Sequence, residues 1–249
     1  MKALKYSCCL LFLISFASAK SQNTVFITEG KIEYEKKLNV YAQMQDERED
    51  DSWAELRKKG MPKFKTTYFD LTFVSGKTLY KPGKENEDNN KLWQQPAEDN
   101  VIYNDMETGK TISQKKVFDQ AFLIQDSIRK IKWKITDEMR NIAGFQCRRA
   151  NAIIMDSIYV VAFYTDEIVA TGGPESFSGL PGMILGVALP HQHVTWFATK
   201  VMAIPTKPSD LIAPTKGKKV NYNALKETLN SSLKEWGKMG RVFVQAAML

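Results

Sequence analysis

The sequence predicts a mainly β fold: a curved antiparallel sheet, open like half a barrel, with a short helix in the N-terminal half and an amphipathic C-terminal helix. Two observations lead to this prediction. Apolar and polar residues alternate with a period of two through much of residues 31–202, as they do in strands with one buried face. Short polar turns, without long helical segments, separate these runs, which favours hairpins over parallel βαβ units.

Residues 1–19 have the features of a secretory signal peptide. Lys2 and Lys5 precede a short apolar core, and Ala17-Ser18-Ala19 offers small residues for cleavage. The apolar core is about half as long as a membrane-spanning helix. We therefore expect export, cleavage near Ala19, and a periplasmic or outer-membrane-associated mature protein without a transmembrane segment.

The mature chain would keep Cys147 alone of the three cysteines, so a disulfide framework within the chain is not expected. Loss of Lys2 and Lys5 lowers the formal net charge from +7 to +7 − 2 = +5. The other lysines are spread along the chain, so nucleic-acid binding is not expected. They form either a solvated surface or a weakly attractive face for an acidic membrane or partner.

The N-terminal part of the predicted β domain, which covers residues 20–204, begins with a strand and a helix. Alternation over residues 31–40 predicts a strand with a slip at Lys36-Lys37, where we expect a bulge. Residues 46–59 have apolar side chains at helical spacing, and Gly60 and Pro62 would end this helix.

A hairpin and a long loop come next. Residues 64–74 alternate as a strand, Ser75-Gly76 forms a turn, and residues 77–80 return. Residues 84–100 are polar around a single Trp93, which predicts a long exposed loop. Trp93 is either a contact for a partner or an anchor that holds the loop to the body.

Strands then follow in close succession. They are predicted over residues 101–106, 110–117, 121–125, 145–155, 157–165, 183–189 and 194–202. Residues 130–135 alternate isoleucine and tryptophan with lysine, which predicts a half-buried strand with a basic outer face. Residues 137–140 would form one helical turn.

Residues 205–249 are expected to form a proline-containing linker and the C-terminal helix. The helix is predicted over residues 222–238, with Asn221 or Asn223 as its cap and Gly237 or Gly240 at its end. Its apolar face is formed by Leu225, Leu229, Leu233 and Trp236. This face would cover the sheet or, alternatively, dock a partner.

The run Gly179-Leu180-Pro181-Gly182 predicts a rigid structural turn before a buried strand. Glycine permits positive φ, and proline fixes φ and lacks a backbone donor. With Gly144-Phe145-Gln146-Cys147 and Gly172-Gly173-Pro174, this run lies in a region, residues 132–202, that resembles the GLPGLI family. The resemblance implies a secreted or periplasmic protein of Bacteroidota-type bacteria, with genes near outer-membrane transport systems and no catalytic residues to carry over.

No catalytic constellation is recognisable in the sequence, and no cofactor is expected. His191 and His193 would share one face of a strand and could bind a metal with a third ligand, but Pro190 favours an exposed turn. Cys147 is either a nucleophile or a small buried core residue. Asp166-Glu167 is either an acid–base pair or part of a surface turn.

Three functions therefore stay open. The first is a non-enzymatic periplasmic or cell-envelope protein that binds an outer-membrane protein or transport complex, with Trp93 as a possible contact. The second is a carrier of a lipid or other apolar ligand, which requires a continuous apolar cavity in the curved sheet. The third is a metal-binding protein that uses His191 and His193.

Overall fold

The computed structural model describes residues 26–47, 60–91 and 95–249, in which twelve strands form one curved sheet that does not close. The strands are β1 (Gly30–Asn39), β2 (Phe64–Val74), β3 (Lys77–Pro82), β4 (Val101–Asp105), β5 (Lys110–Val117), β6 (Gln120–Ser127), β7 (Lys134–Ile142), β8 (Phe145–Ile154), β9 (Ile158–Thr165), β10 (Met183–Leu189), β11 (Val194–Met202) and β12 (Lys218–Val220). The predicted mainly β class is confirmed. The predicted signal peptide and Trp93 lie outside the described residues.

The sheet is built from two meanders that meet at β1. Its order is β12-β6-β5-β4-β3-β2-β1-β11-β10-β9-β8-β7. Neighbouring strands are antiparallel except β12, which runs parallel to β6 within the segment predicted to be an irregular linker. A strand of three residues leaves almost no pattern in the sequence, because the backbone hydrogen bonds that pair it with its neighbour do not depend on side-chain type.

The predicted slip at Lys36-Lys37 is wrong. Ile32, Tyr34 and Leu38 are buried, and Lys36 stands in the same phase between them. The pairing of β1 with β2 continues without interruption, and the irregularity against β11 lies earlier, between Glu33 and Tyr34. Lys36 therefore projects from the face of the sheet that carries the core.

The chain leaves β1 earlier than predicted, because Asn39 caps a helix. Its side-chain oxygen accepts a hydrogen bond from the backbone N–H of Ala42 at 3.1 Å. Helix α1 (Val40–Glu47) follows, so Val40 opens a helix where the alternation had predicted strand. The helix predicted over residues 46–59 lies almost entirely outside the described residues.

The segment before β7 also differs from the prediction. Residues 130–133 are not in a strand, and the indole N–H of Trp133 donates to the carbonyl of Ser178 at 2.9 Å. Residues 137–140 belong to β7 and do not form a helical turn. β7 is an edge strand that pairs with β8 alone, so most of its side chains are exposed and a burial pattern could not identify it.

The C-terminal segment forms two helices, α2 (Tyr222–Ser232) and α3 (Gly237–Met248), where one was predicted. The Asn221 cap is confirmed, since its side chain accepts from the N–H of Ala224 at 2.8 Å. Gly237 has a φ of +55°, which redirects the chain between the helices. Trp236, predicted to be on the buried face, is 47% exposed.

The buried apolar side chains include two large clusters. One cluster joins β1, β2 and β8–β11 to Phe177 and Leu180 of the loop before β10. A second cluster joins β6 to α2 and α3. Within the described ranges, no helix is long and apolar enough to cross a membrane.

Candidate functional site

The loop that leads into β10 ends at a tightly packed corner. Gly182 has a φ of +142°, and a Cβ atom at this position would lie 2.1 Å from the carbonyl oxygen of Thr165. The N–H of Gly182 donates to Leu180 O at 2.9 Å, and Leu180 is buried. Position 182 therefore requires glycine, both for its φ and for its contact with the end of β9.

The same loop carries a carboxylate into the interior. Glu175 follows Gly172-Gly173-Pro174 and is only 1% exposed. Its φ of +51° is uncommon for a residue with a side chain. Gly173 lies against β10, where a Cβ would be 2.8 Å from the Cβ of Ile184. The close approach of the loop to the sheet thus determines where the Glu175 side chain enters.

Glu175 has one short and one long polar contact. Asn100, which directly precedes β4, donates from Nδ2 to Glu175 Oε2 at 2.8 Å. The ammonium of Lys36 lies 3.6 Å from Oε1, beyond a direct hydrogen bond. A buried ion pair needs close contacts to offset the loss of hydration. The distance between Lys36 and Glu175 is therefore too long to offset fully the hydration that the two charges lose.

Aromatic rings surround the Lys36 ammonium. Its Nζ lies 5.2 Å from the centre of the Trp196 ring and 5.8 Å from the centre of the Phe69 ring. Cations are attracted to aromatic faces at such distances. These contacts help to hold the Lys36 charge inside the sheet.

We define the Glu175 cluster as Lys36, Tyr80, Asn100, Glu175 and Trp196. Four buried atoms in it have no hydrogen-bond partner among the described residues: Tyr80 Oη, Asn100 Oδ1, Glu175 Oε1 and Trp196 Nε1. Each such group costs about 1–3 kcal/mol when it is left unpaired. Native proteins contain few of them, so several in one cluster indicate a place that a further polar group satisfies.

Burial has a clear effect on the Tyr80 hydroxyl. Burial raises the pKa of Tyr80 well above its ordinary value, and the charge of Glu175 and the neighbouring Tyr34 raise it further. The indole N–H of Trp196 lies close enough to lower this pKa, but the contact does not reach hydrogen-bond geometry. Tyr80 therefore stays protonated and can donate a hydrogen bond.

A fully buried lysine, Lys115, lies on the neighbouring part of the sheet. Lys115 is fully buried and donates to the carbonyl of Ala247 at 3.1 Å, while Arg129 donates to the carbonyl of Met248. Burial lowers the pKa of Lys115 to about 8, although the charge of Glu175 opposes this shift. Both cations cap the C-terminal end of α3, where they complement the helix dipole.

A small cleft, lined by both polar and apolar side chains, lies beside the cluster. It contains about 60 Å³ of free space. Its lining includes Lys36, Gln43, Lys65, Gln95, Glu98, Gln192 and Trp196. Ligand pockets for drug-sized or apolar ligands are commonly about 300–1,000 Å³. This cleft has room for a group of a few non-hydrogen atoms and is too small for a lipid chain.

The polar groups of the cleft are mostly paired with one another. Lys65 and Glu98 form a buried ion pair at 2.6 Å. Gln95 donates from Nε2 to Gln43 Oε1 at 3.0 Å. Gln192 Oε1 and Trp196 Nε1 are the exceptions, because both are buried and have no hydrogen-bond partner in the described part of the chain.

The predicted histidine pair does not lie on a strand. Pro190–Gln192 form a 3₁₀ turn between β10 and β11, and His193 follows with a φ of +54°. The turn that Pro190 indicated is confirmed. In the described ranges, no group of three or more His, Cys, Asp or Glu residues could hold a metal ion. Between the histidines, Gln192 reaches the cleft.

Cys147 is a buried core residue. Burial raises the pKa of its thiol to about 12, and the charge of Glu167 adds to the rise. The thiolate that acts as a nucleophile is therefore disfavoured. Asp166 is exposed, and Glu167 accepts a long hydrogen bond from the N–H of Gln146 at 3.4 Å, so the two carboxylates have different surroundings.

Sequence reasoning missed every member of the Glu175 cluster. The position of Lys36 could have been recognised, because residues 32, 34, 36 and 38 of a strand point to the same face of the sheet. No comparable signal marked Glu175 or Asn100, which lie in irregular segments and meet across 75 positions of the chain.

Comparison with known proteins gives one family match and a shared fold. A family model described as a protein of unknown function (Porph_ging) matches residues 153–186, a range that includes the Gly-Leu-Pro-Gly corner. Its Porphyromonas gingivalis-type character fits the Bacteroidota-type origin that the GLPGLI resemblance implies; the GLPGLI assignment itself stays a resemblance. None of the curated proteins matches this chain.

Two solved structures of PNGF-II, in space groups P21 and C2, are similar to this chain. Their TM-scores are 0.51 and 0.52, with 16% sequence identity over 78% and 80% of this chain. The match covers 32% of each PNGF-II chain, so this chain spans about a third of that length. At this identity the likeness shows the fold alone.

Proposed function

We propose that this chain is a non-enzymatic protein of the bacterial cell envelope that binds a protein or complex of the outer membrane. The observation that carries the proposal is a cleft beside the Glu175 cluster whose lining residues include two buried polar atoms, Gln192 Oε1 and Trp196 Nε1, that no described residue satisfies. A partner that places a polar group in the cleft would satisfy them. Such desolvated, hydrogen-bonding pockets are where binding energy concentrates in protein interfaces.

Binding is favoured over catalysis by the state of the reactive groups. The Cys147 thiol has a pKa raised to about 12, and Lys115 is occupied by the end of α3. Glu175 is tied to Asn100 and has no histidine partner among its described contacts. A catalytic acid or base must be within reach of both substrate and a suitable partner.

An envelope location is supported by the signal-peptide features of residues 1–19 and by the family resemblance. The two alternative functions have less support. The cleft is too small for an apolar cargo. His191 and His193 lie in a turn without further metal-ligating residues in the described ranges.

The proposal can be tested by capture from solubilised envelopes of the native bacterium. The Lys36→Met variant removes one of the two cations that line the cleft. Lys31→Met is the matched control, because Lys31 lies on the same strand with an ion-paired partner, Asp70 at 2.8 Å, but in the opposite phase. Proteins retained by the wild type and by Lys31→Met, but not by Lys36→Met, would be identified by quantitative mass spectrometry.

An outer-membrane protein that depends on Lys36 in this way is the expected result. Equal retention by all three proteins would show that the cleft is not the binding site. Recovery of no membrane protein by the wild type would refute the proposed function itself. Circular dichroism of both variants checks that the fold is intact.

A further inference from the structure

We infer that the cleft is built to receive a primary carboxamide, the group found in asparagine and glutamine side chains and in small free amides. The inference rests on the proposed function, since it takes the cleft to be a binding site. Three properties of the cleft lead to it: its charge balance, its free donors and acceptors, and its size.

The charge balance favours an uncharged ligand. Two cations, Lys36 and Lys65, and one anion, Glu98, line the cleft, and a second anion, Glu175, lies 3.6 Å from Lys36. Lys65 and Glu98 are in direct contact, and Lys36 has Glu175 nearby. A charged ligand would add an uncompensated charge to a partly buried site, which is unfavourable.

The hydrogen-bonding groups call for a ligand that both donates and accepts. Gln192 Oε1 is a buried acceptor and Trp196 Nε1 is a buried donor, both on residues that line the cleft, and no described residue satisfies either atom. The Lys36 ammonium has three donors, and its contact to Glu175 is 3.6 Å long. A carboxamide offers N–H donors to the Gln192 oxygen and a carbonyl to the Trp196 N–H and the Lys36 ammonium. A carboxylate has no donor, so it cannot satisfy the Gln192 oxygen.

The lining and the size agree with this choice. Three glutamines, Gln43, Gln95 and Gln192, border the cleft, and two of them already bond amide to amide at 3.0 Å. Amides are mutually complementary, because each carries both donors and an acceptor. A free space of about 60 Å³ accommodates one such group and no large substituent.

The test follows the indole N–H signal of Trp196 in ¹⁵N-labelled protein, assigned through the Trp196→Phe variant. Acetamide is the probe, and acetate is the charged probe of the same shape. A blocked Gly-Asn-Gly peptide and its Gly-Asp-Gly counterpart form a second pair. Because so small a probe can gain little binding energy, dissociation constants in the millimolar range are expected.

Acetamide should shift the Trp196 signal in a saturable way, and acetate should not. Gln192→Leu should weaken the acetamide response at least tenfold, while Gln146→Leu, at an exposed glutamine of β8, should leave it unchanged. A response to the Asn peptide identifies a side chain of a partner as the source of the amide. A response to acetamide alone identifies a free amide instead.

Equal responses to acetamide and acetate, or a Gln192→Leu variant that responds as the wild type does, would overturn the inference. So would the absence of any response, which would mean that ordered water alone satisfies these atoms. The envelope capture experiment is independent of these probes. Lys36-dependent capture without an amide response would leave the proposed function standing and remove only the carboxamide assignment.

Discussion

Replacement of Gly182 by alanine tests whether the corner before β10 is a packing device. The new Cβ would lie 2.1 Å from the Thr165 carbonyl oxygen and 2.8 Å from its carbon. Ordinary contacts between carbon and a carbonyl oxygen are about 3.3–3.6 Å. The corner or the end of β9 would therefore have to move by more than an ångström in Gly182→Ala.

Gly179 provides the matched control. It also has positive φ, +90°, but the nearest atom to an added Cβ is Trp133 Nε1 at 3.8 Å, an ordinary contact. Both substitutions incur backbone strain of about 1–3 kcal/mol. Gly182→Ala alone adds overpacking, typically about 1–3 kcal/mol. We expect a loss of roughly 4 kcal/mol for Gly182→Ala and roughly 2 kcal/mol for Gly179→Ala, the sums of mid-range values.

Urea unfolding followed by tryptophan fluorescence measures both losses as shifts in the midpoint. A loss of 4 kcal/mol would be a large share of the roughly 5–15 kcal/mol that stabilises a typical domain. It should also lower the melting temperature by about 8–16 °C in a domain of this size. If Gly179→Ala proves as costly as Gly182→Ala, steric contact with Thr165 does not explain the requirement for glycine.

Three further predictions concern the buried ionisable groups. Burial lowers the pKa of Lys115 from 10.5 to about 8, so the folded protein binds this proton more weakly than the unfolded chain does. The free energy of unfolding should therefore rise by about 2–3 kcal/mol between pH 7 and pH 10. Urea midpoints should show that Lys115→Met flattens this rise, and an unchanged slope would contradict it. Because burial raises the pKa of Cys147 to about 12, peptide mass spectrometry should find it unmodified by iodoacetamide at pH 8 until urea unfolds the protein; rapid modification in the folded state would contradict this. In a double-mutant cycle, Lys36→Met and Glu175→Gln should couple by about 1–3 kcal/mol, whereas strictly additive losses would mean that the 3.6 Å pair contributes nothing.

The strands with one buried face were predictable from the sequence. β2 (Phe64–Val74), β10 (Met183–Leu189) and β11 (Val194–Met202) have the predicted bounds. Their alternation reflects a buried face and a solvated face, a local consequence of strand geometry. Edge strands lack that contrast between a buried and a solvated face. For this reason the sequence predicted β7 at the wrong residues and did not predict β12.

The candidate site could not be predicted in the same way. Lys36 interrupts an apolar run, and a lysine in that position ordinarily indicates a solvated residue or a change of phase. Glu175 and Asn100 belong to loops, where no periodicity constrains the direction of a side chain. Their contact depends on how the loop before β10 packs against the sheet.

The sequence by itself determined the mainly β class, the principal strands and the need for glycine at a tight corner, because strand alternation and backbone conformation are properties of neighbouring residues. Only the tertiary structure decided that Lys36 points inward, that Glu175 meets it, and that glutamines from separate segments border one cleft. The physical reason is that burial and electrostatic pairing depend on distances through space. Those distances are set when distant segments pack, and they have no counterpart in residue order.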